Sequence, residues 1–246
     1  MRFVLLNEGT AASPLTTQIT PEWLQRVAAA CTIQLNRDVA PEWGGSYGVR
    51  AGTDIAAGEI VFSLVDSLPD APGAVAYHSV SGEAVPFAML ALTTCNTLAD
   101  VSTAISHELC ETAGDVDANL WADDGTGTEW ANELCDAVES DSYEIDLGDG
   151  QPSILVSDFL LRAFFAPHAA APYSFAGHAV APFQTAPGGY QIKRTASADS
   201  SQVTASETSK RGARVLAGKH HWSSRPAKRG VAVRHPTEPA PKPETD

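Results

Sequence analysis

Residues 100–113 read DVSTAISHELCETA, and this stretch decides the fold prediction. Its large apolar residues recur every fourth position, which is typical of an amphipathic helix with one buried stripe. These residues are Val101, Ile105 and Leu109. Asp100 or Ser102 is the expected N-cap, and Gly114 is the expected stop. The stretch therefore predicts a helix of about four turns that packs one face against a core.

His107 and Glu111 lie four residues apart in this helix, so their side chains project from one face about one turn apart. Glu108 follows His107 directly. The pattern is that of the zinc-binding His-Glu-x-x-His helix with its second histidine replaced by a carboxylate, a ligand that zinc also accepts. In hydrolytic versions, the glutamate after the first ligand takes a proton from the attacking water. The alternative is a solvent-exposed polar helix face on which His107 and Glu111 form a hydrogen-bonded pair.

A second acidic cluster supplies candidates for a third ligand. Glu133 and Asp136 lie three residues apart, so both can face one ion from a helix or turn. A zinc site with an open position needs three protein ligands, which would be His107, Glu111 and either Asp136 or Glu133. One Zn²⁺ per chain is the expected cofactor, with manganese or iron as alternatives because the ligand set is rich in oxygen. A calcium site within the acidic loops of residues 115–149 is a further alternative.

Other polar residues have ordinary structural explanations. His78 ends a strand-like run and is expected to be a partly buried histidine with satisfied hydrogen bonds rather than a ligand. A solvated loop is expected to hold the acids Asp115, Asp117, Asp123 and Asp124. No CxxC spacing connects the cysteines Cys31, Cys95, Cys110 and Cys135. They are expected to be buried thiols in a reducing compartment.

The first eighty residues predict one helix followed by a small sheet. Thr20-Pro21-Glu22 is a helix start, and an apolar stripe at helical spacing continues to about Arg37, before Pro41. Strand-like runs then occupy residues 47–50, 59–65 and 74–78. The chain shows no strict alternation of strands and helices, so the expected class is α+β rather than a doubly wound parallel sheet.

Charge divides the chain into two parts. Residues 1–189 carry 5 Lys+Arg against 25 Asp+Glu, a net charge of −20. Residues 190–246 carry 11 against 5, a net charge of +6. Because an acidic surface repels phosphate backbones, contact with nucleic acid is expected only through the C-terminal part.

The C-terminal part is also poor in large apolar residues and rich in Ser, Ala, Lys, Arg and Pro. Such a segment cannot bury enough surface to offset its ordering entropy. We expect a metal-binding domain over residues 1–190 and a flexible basic tail over residues 191–246, in which His220-His221-Trp222 is the one feature suited to docking.

No run approaches the roughly 18 consecutive apolar residues of a membrane-spanning helix. The initial apolar run, MRFVLL, meets polar Asn7-Glu8 too soon for a signal-peptide core. The sequence therefore predicts a soluble protein without its own secretory leader and without membrane contact.

Short motifs occur in a fixed order over residues 35–193. They are Asp38-x-Ala40-Pro41-x-Trp43-Gly44, Ala74-Val75-Ala76-Tyr77-His78, Ser106-His107-Glu108-Leu109-x-Glu111, Glu133-Leu134-Cys135-Asp136-x-Val138-Glu139, Val156-Ser157-Asp158-Phe159 and Pro187-Gly188-Gly189-Tyr190. In this order they resemble a family of uncharacterised zincin-like metallopeptidases, with a His-Glu-x-x-Glu helix motif, from tailed bacteriophages, prophages and bacteria. That family usually has an Asp-Pro pair after its helix motif, whereas here Val116 follows Asp115.

The resemblance implies a zincin-like α+β fold, in which a small sheet packs on the metal-binding helix. Its edge strand, here around residues 74–78, is expected to lie beside that helix. The implied activity is that of a metal-dependent hydrolase, a zinc metallopeptidase with Glu108 as general base and a peptide or protein as substrate.

Two other functions compete with the peptidase hypothesis. A non-enzymatic virion or accessory protein could retain a zincin-like domain and use its basic tail to contact neighbouring virion subunits or DNA. A lysis enzyme that cuts cell-wall peptides would share the metal site, but it would need an export signal that the sequence does not show. The expected location is therefore the host cytoplasm or the phage virion.

Overall fold

The computed structural model describes residues 1–10, 12–195 and 198–204. Within these ranges the architecture is mixed α/β, and no helix is long and apolar enough to cross a membrane. The helices are α1 (Pro21–Ile33), α2 (Ala40–Trp43) and α3 (Leu98–Gly114). The strands are β1 (Arg2–Asn7), β2 (Gly48–Gly52), β3 (Ile60–Val65), β4 (Ala76–Val80), β5 (Pro86–Ala91), β6 (Trp121–Asp123), β7 (Thr128–Ala131), β8 (Ser142–Ile145), β9 (Ile154–Ser157), β10 (Tyr190–Thr195) and β11 (Ala198–Thr204).

The largest sheet has five strands in the order β2-β1-β3-β5-β4. β1 runs parallel to β2 and β3, and β3 runs parallel to β5, whereas β4 forms one edge antiparallel to β5. The predicted strands β2, β3 and β4 are confirmed, with small shifts of their ends. β1, whose buried residues 3–6 lie in the interior of the sheet, was not predicted from the sequence. Parallel pairing was also not expected; it arises because α1 lies on the connection between β1 and β2.

The first helix begins as predicted, with the Thr20 hydroxyl as its N-cap. It does not end near Arg37, because a π-helical segment (Gln34–Val39) joins α1 directly to α2. Pro41 is tolerated there since it lies in the first turn of α2, where a missing amide proton costs little. The helical path ends at Gly44, whose φ of 80° suits glycine.

α3 begins at least three residues earlier than predicted, because its N-cap is Thr97 rather than Asp100 or Ser102. The Thr97 hydroxyl accepts a hydrogen bond from the Asp100 amide, and Asp100 Oδ2 accepts one from the Thr97 amide, both at 3.1 Å. This capping box satisfies two amides that the helix itself leaves unpaired. The end at Gly114 is as predicted.

α3 is buried around most of its circumference. Its predicted apolar stripe lies in the main core: Val101, Ile105 and Leu109. A polar face packs on β9, where Ser102 donates to the Leu155 carbonyl (2.8 Å) and Ser106 accepts from the Ser157 amide (2.7 Å). The alternative of a solvent-exposed polar face is therefore wrong for His107, which is buried together with the rest of this surface.

The end of the predicted domain also differs from the structure. β10 and β11 form an antiparallel pair, and β10 pairs with β7 in a four-stranded sheet of order β11-β10-β7-β6. The prediction of a flexible tail from residue 191 is corrected here for residues 191–195 and 198–204. Tyr190 and Ile192 lie on the same face of β10, because side chains alternate along a strand. They pack with Trp121 and Ala131, so this sheet has a small hydrophobic core of its own. Residues 205–246, including His220-His221-Trp222, lie outside the described ranges.

All four cysteines are buried thiols outside any disulfide bond, as predicted. Burial raises the pKa of Cys31 to about 12, and burial also raises the pKa values of Cys110 and Cys135. These groups therefore stay protonated and behave as small apolar core residues.

Candidate metal centre

α3 directs three of the predicted site residues into one buried region. His107 Nε2 lies 3.3 Å from Glu111 Oε1, as expected for side chains one turn apart. Glu108 is buried on the same helix, and its Oε2 faces β4. One turn of helix thus supplies two candidate ligands and a candidate base.

The segment between β7 and β8 brings the second acidic cluster to α3. Asp136 Oδ1 lies 3.3 Å from His107 Nε2, and the Cys135 amide donates to Glu111 Oε1 at 3.3 Å. One ligand atom each from His107, Glu111 and Asp136 lies within 4.8 Å of the others. Of the two predicted third ligands, Asp136 is the one that the fold brings to this group.

Glu133 belongs to a second group, with His78 and Glu111, whose ligand atoms also lie within 4.8 Å of one another. His78 Nδ1 lies 3.2 Å from both Glu108 Oε2 and Glu111 Oε2. His78 Nε2 lies 3.8 Å from Glu133 Oε2. This position of His78 was not predicted, because the sequence led us to expect an ordinary partly buried histidine. The available signal was its place in the motif of residues 74–78.

We call these six buried side chains the acid-histidine cluster: His78, His107, Glu108, Glu111, Glu133 and Asp136. It contains four carboxylates and two imidazoles. The described lysines and arginines have partners elsewhere: Arg2 on the Ala57 carbonyl, Arg26 on Asp149, Arg37 on Asp38, Arg50 on Glu59, Arg162 and Lys193 on the tryptophans Trp43 and Trp130, and Arg194 on Glu129. Burying an uncompensated ion costs on the order of several kcal/mol, so the cluster favours a bound cation.

The directions in which the pKa values of these residues shift agree with this excess of carboxylates. Burial lowers the pKa values of His78 and His107, but the carboxylates around them outweigh it and raise both well above the usual value. Burial, followed by the charge of Glu111, raises the pKa of Asp136 well above its usual value. The pKa of Glu111 is lowered, because the two histidines outweigh its own burial. Without metal, protons thus supply the positive charge that a cation would otherwise supply.

The residues present fit a divalent cation. Zinc binds nitrogen and oxygen ligands at about 2.0–2.2 Å, so two ligands at a tetrahedral angle lie about 3.4 Å apart. His107 Nε2 lies 3.3 Å from both Glu111 Oε1 and Asp136 Oδ1, close to this spacing. An imidazole with two carboxylates also suits manganese or iron. These buried groups could therefore hold a metal ion, and the donor set does not specify which one.

We expect the metal-free protein to lose stability as the pH rises above about 6.5, the usual pKa of histidine. A raised folded-state pKa stabilises the fold below the unfolded-state pKa, and this contribution is lost as the pH rises through the folded-state pKa. His78, His107 and Asp136 all act in this direction. Glu111 has a lowered pKa, so its contribution is present above about pH 4.5 and does not oppose this loss.

A bound cation replaces these protons, so the metal-loaded protein should show a flatter pH profile over the same range. Thermal unfolding, monitored by circular dichroism at several pH values, measures how the melting temperature depends on pH with and without metal. A metal-free melting temperature that stays constant or increases toward pH 9 would contradict this prediction.

Asp115, Asp117, Asp123 and Asp124 belong to neither group of converging ligand atoms within the described ranges. Asp115 is buried rather than solvated as predicted, because its carboxylate accepts hydrogen bonds from the Asn119 and Leu120 amides. Asp123 and Asp124 accept hydrogen bonds within the turn that joins β6 to β7. These acids therefore shape loops, and the structure offers no support for the predicted alternative of a calcium site there.

Gly189 contacts the turn that carries Asp136, a role that the sequence analysis did not assign to it. A Cβ at this position would lie 2.5 Å from the Ala137 carbonyl oxygen and 2.8 Å from that of Asp136. Both are backbone atoms, so any side chain here must displace the turn. The motif Pro187-Gly188-Gly189-Tyr190 was the available signal.

We expect Gly189→Ala to lower the free energy of unfolding by about 2 kcal/mol, as overpacking does in a tight site. Metal affinity should decrease with it, because the turn carries Asp136. Gly82→Ala is the matched control, since no atom lies within 4 Å of its Cβ position. Denaturant unfolding and a metal titration of both variants provide the test. Equal stability and affinity in Gly189→Ala and the wild type would disprove the role of Gly189.

Comparison of the chain with protein-family models, with curated proteins and with solved structures found no match. The chemistry of the acid-histidine cluster therefore carries the functional interpretation.

Proposed function

We propose that this protein is a zinc-dependent peptidase with a zincin-like domain, related to the bacteriophage and prophage family that its motifs resemble. The observation that carries the proposal is the convergence of His107, Glu111 and Asp136 within 4.8 Å, with Glu108 in the same turn of α3. The position of β4 supports it as well, because this edge strand lies beside α3, as the resemblance implies.

In this proposal His107, Glu111 and Asp136 hold the zinc ion. When bound, zinc supplies a Lewis acid that polarises a carbonyl group and activates water at neutral pH. Glu108 acts as the general base and takes a proton from the attacking water on its carboxylate. The contact between Glu108 Oε2 and His78 Nδ1, at 3.2 Å, orients that carboxylate. Burial of the cluster excludes bulk water and strengthens these electrostatic contacts.

A peptide is the proposed substrate because β4 can receive an extended chain. β4 pairs with β5 on one side and forms the edge of the five-stranded sheet. Extended peptides add to such edges through main-chain hydrogen bonds. Since His78 lies on β4 and contacts Glu108, a peptide on this edge would pass close to the proposed base.

We expect removal of metal by a chelator to abolish hydrolysis of a peptide library, and one equivalent of Zn²⁺ to restore it. Mass spectrometry of the cleaved peptides measures activity, and circular dichroism shows whether the metal-free protein remains folded. His168→Asn is a suitable control, because His168 is exposed and asparagine tolerates its positive φ of 68°. Undiminished hydrolysis by the folded, metal-free protein would rule out the proposed mechanism.

The burial of the cluster also favours a second candidate function. Structural zinc sites are closed, and the most exposed of these ligands, His107, has only 9% of its side chain exposed. The metal would then stabilise a virion or accessory protein, and the basic C-terminal part would contact neighbouring subunits or DNA. A protein that binds metal, unfolds at lower temperature without it and cleaves no peptide in the library would fit this second function.

A further inference from the structure

We propose that the acid-histidine cluster binds a second divalent cation, held by His78, Glu111 and Glu133. The ligand atoms of these residues lie within 4.8 Å of one another, and all three side chains are buried. The inference rests on the proposed function, because Glu111 also belongs to the neighbouring site. The two sites together would form a dinuclear centre.

The imidazole of His78 has one nitrogen in contact with a carboxylate and one without a hydrogen bond. Nδ1 lies 3.2 Å from Glu108 Oε2, and histidines that bind metal through one nitrogen usually donate the other N–H to such a carboxylate. Nε2 is buried and makes no hydrogen bond, in a side chain that is only 2% exposed. This unsatisfied nitrogen points to a ligand rather than to a structural histidine.

The distance from His78 Nε2 to Glu133 Oε2 suits two ligands of one ion. At 3.8 Å it is too long for a hydrogen bond. If a cation formed bonds of about 2.1 Å to both atoms, the angle between these two bonds would be about 130°. A cation between the two atoms therefore explains a separation that a shared proton does not.

Glu111 belongs to both groups of converging ligand atoms. Its Oε1 lies 3.3 Å from His107 Nε2, whereas its Oε2 lies 3.2 Å from His78 Nδ1. Because Glu111 has a ligand atom in both groups of converging atoms, its carboxylate is placed to bridge two ions. Sharing this ligand keeps the ions close together, and the two ions of known two-metal hydrolytic sites lie about 3.5–4 Å apart.

The charge of the cluster also supports two cations. Its four carboxylates can carry four negative charges, of which a single dication neutralises two. Metal ligation requires neutral imidazoles. Two dications neutralise the carboxylates while both histidines stay neutral. The mixed nitrogen and oxygen donors favour zinc, manganese or iron(II), whereas calcium takes six to eight oxygen ligands.

The stoichiometry of zinc binding to the full chain tests this inference. We expect metal-stripped wild type to take up two Zn²⁺ per chain in equilibrium dialysis, measured by elemental mass spectrometry. Glu133→Gln, which keeps the shape of the side chain, and His78→Gln should each take up one. His168→Asn, on the exposed loop, should take up two.

A second measurement uses the wild-type protein alone. Wild type loaded with two equivalents of Mn²⁺ should give the broad, exchange-coupled paramagnetic resonance spectrum of a carboxylate-bridged pair. Two isolated six-line signals, or one bound and one free ion, would overturn the inference even if Glu133→Gln failed to fold.

The outcomes separate this inference from the proposed function. Uptake of one Zn²⁺ by wild type, retained in Glu133→Gln and lost in His107→Ala, would overturn the second site and leave the proposed function in place. Uptake of two ions by both wild type and Glu133→Gln would also overturn it. No uptake by folded wild type would overturn both.

Discussion

Glu108→Gln is expected to abolish peptide hydrolysis and to leave metal binding intact. Glutamine has the size of glutamate, but its amide cannot take a proton from water. A general base contributes about 10²–10⁴-fold to a rate, so kcat/KM should decrease by about this factor. Glu108 belongs to neither group of converging ligand atoms in the described ranges, and glutamine keeps an oxygen that can accept the hydrogen bond from His78 Nδ1, so the metal content should not change.

The matched control for this substitution is Glu144→Gln, which makes the same chemical change on the exposed surface of β8. Kinetics on the best peptide from the library, together with elemental analysis of both variants, separate a lost base from a lost metal. If metal-replete Glu108→Gln hydrolyses peptides at the wild-type rate, Glu108 is not the base.

Glu111→Gln is expected to decrease zinc affinity by more than about 100-fold, beyond the 10–100-fold typical of residues that only support a ligand. The two oxygens of Glu111 face His107 and His78 separately, at 3.3 and 3.2 Å. Glutamine replaces one oxygen with an NH₂ group that cannot bind a cation, and it removes the negative charge. Because Glu111 belongs to both groups of ligand atoms, the substitution weakens both of them.

Competition with a chromophoric chelator measures this affinity, again with Glu144→Gln as the control. Circular dichroism must show that Glu111→Gln is folded, since removal of one member of a buried ion pair is itself destabilising. An affinity within threefold of wild type in the folded variant would exclude Glu111 as a ligand.

The sequence predicts α3 well because the signals for this helix are local. The spacing of Val101, Ile105 and Leu109 and the stop at Gly114 depend only on neighbouring residues. The position of β1 depends instead on pairing with strands more than forty residues away, which no local pattern contains. The tail boundary was misplaced for the same reason, because Tyr190 and Ile192 find their core only through packing with β6 and β7.

In the candidate site, too, the sequence predicts what depends on local spacing and misses what depends on packing between distant segments. Helical spacing alone places His107 and Glu111 on one face. Glu133 and Asp136 could not be separated by sequence, because their difference arises only from how the segment after β7 docks on α3. His78 was missed since its contacts with the cluster depend on packing between β4 and α3.

The metal content of purified protein shows directly whether the acid-histidine cluster binds a divalent cation. Wild type and His107→Ala would be produced with added zinc, dialysed against metal-free buffer and measured by elemental mass spectrometry. We expect at least one metal ion per chain in wild type and one fewer in His107→Ala. No bound metal in either protein, with both shown to be folded, would contradict it.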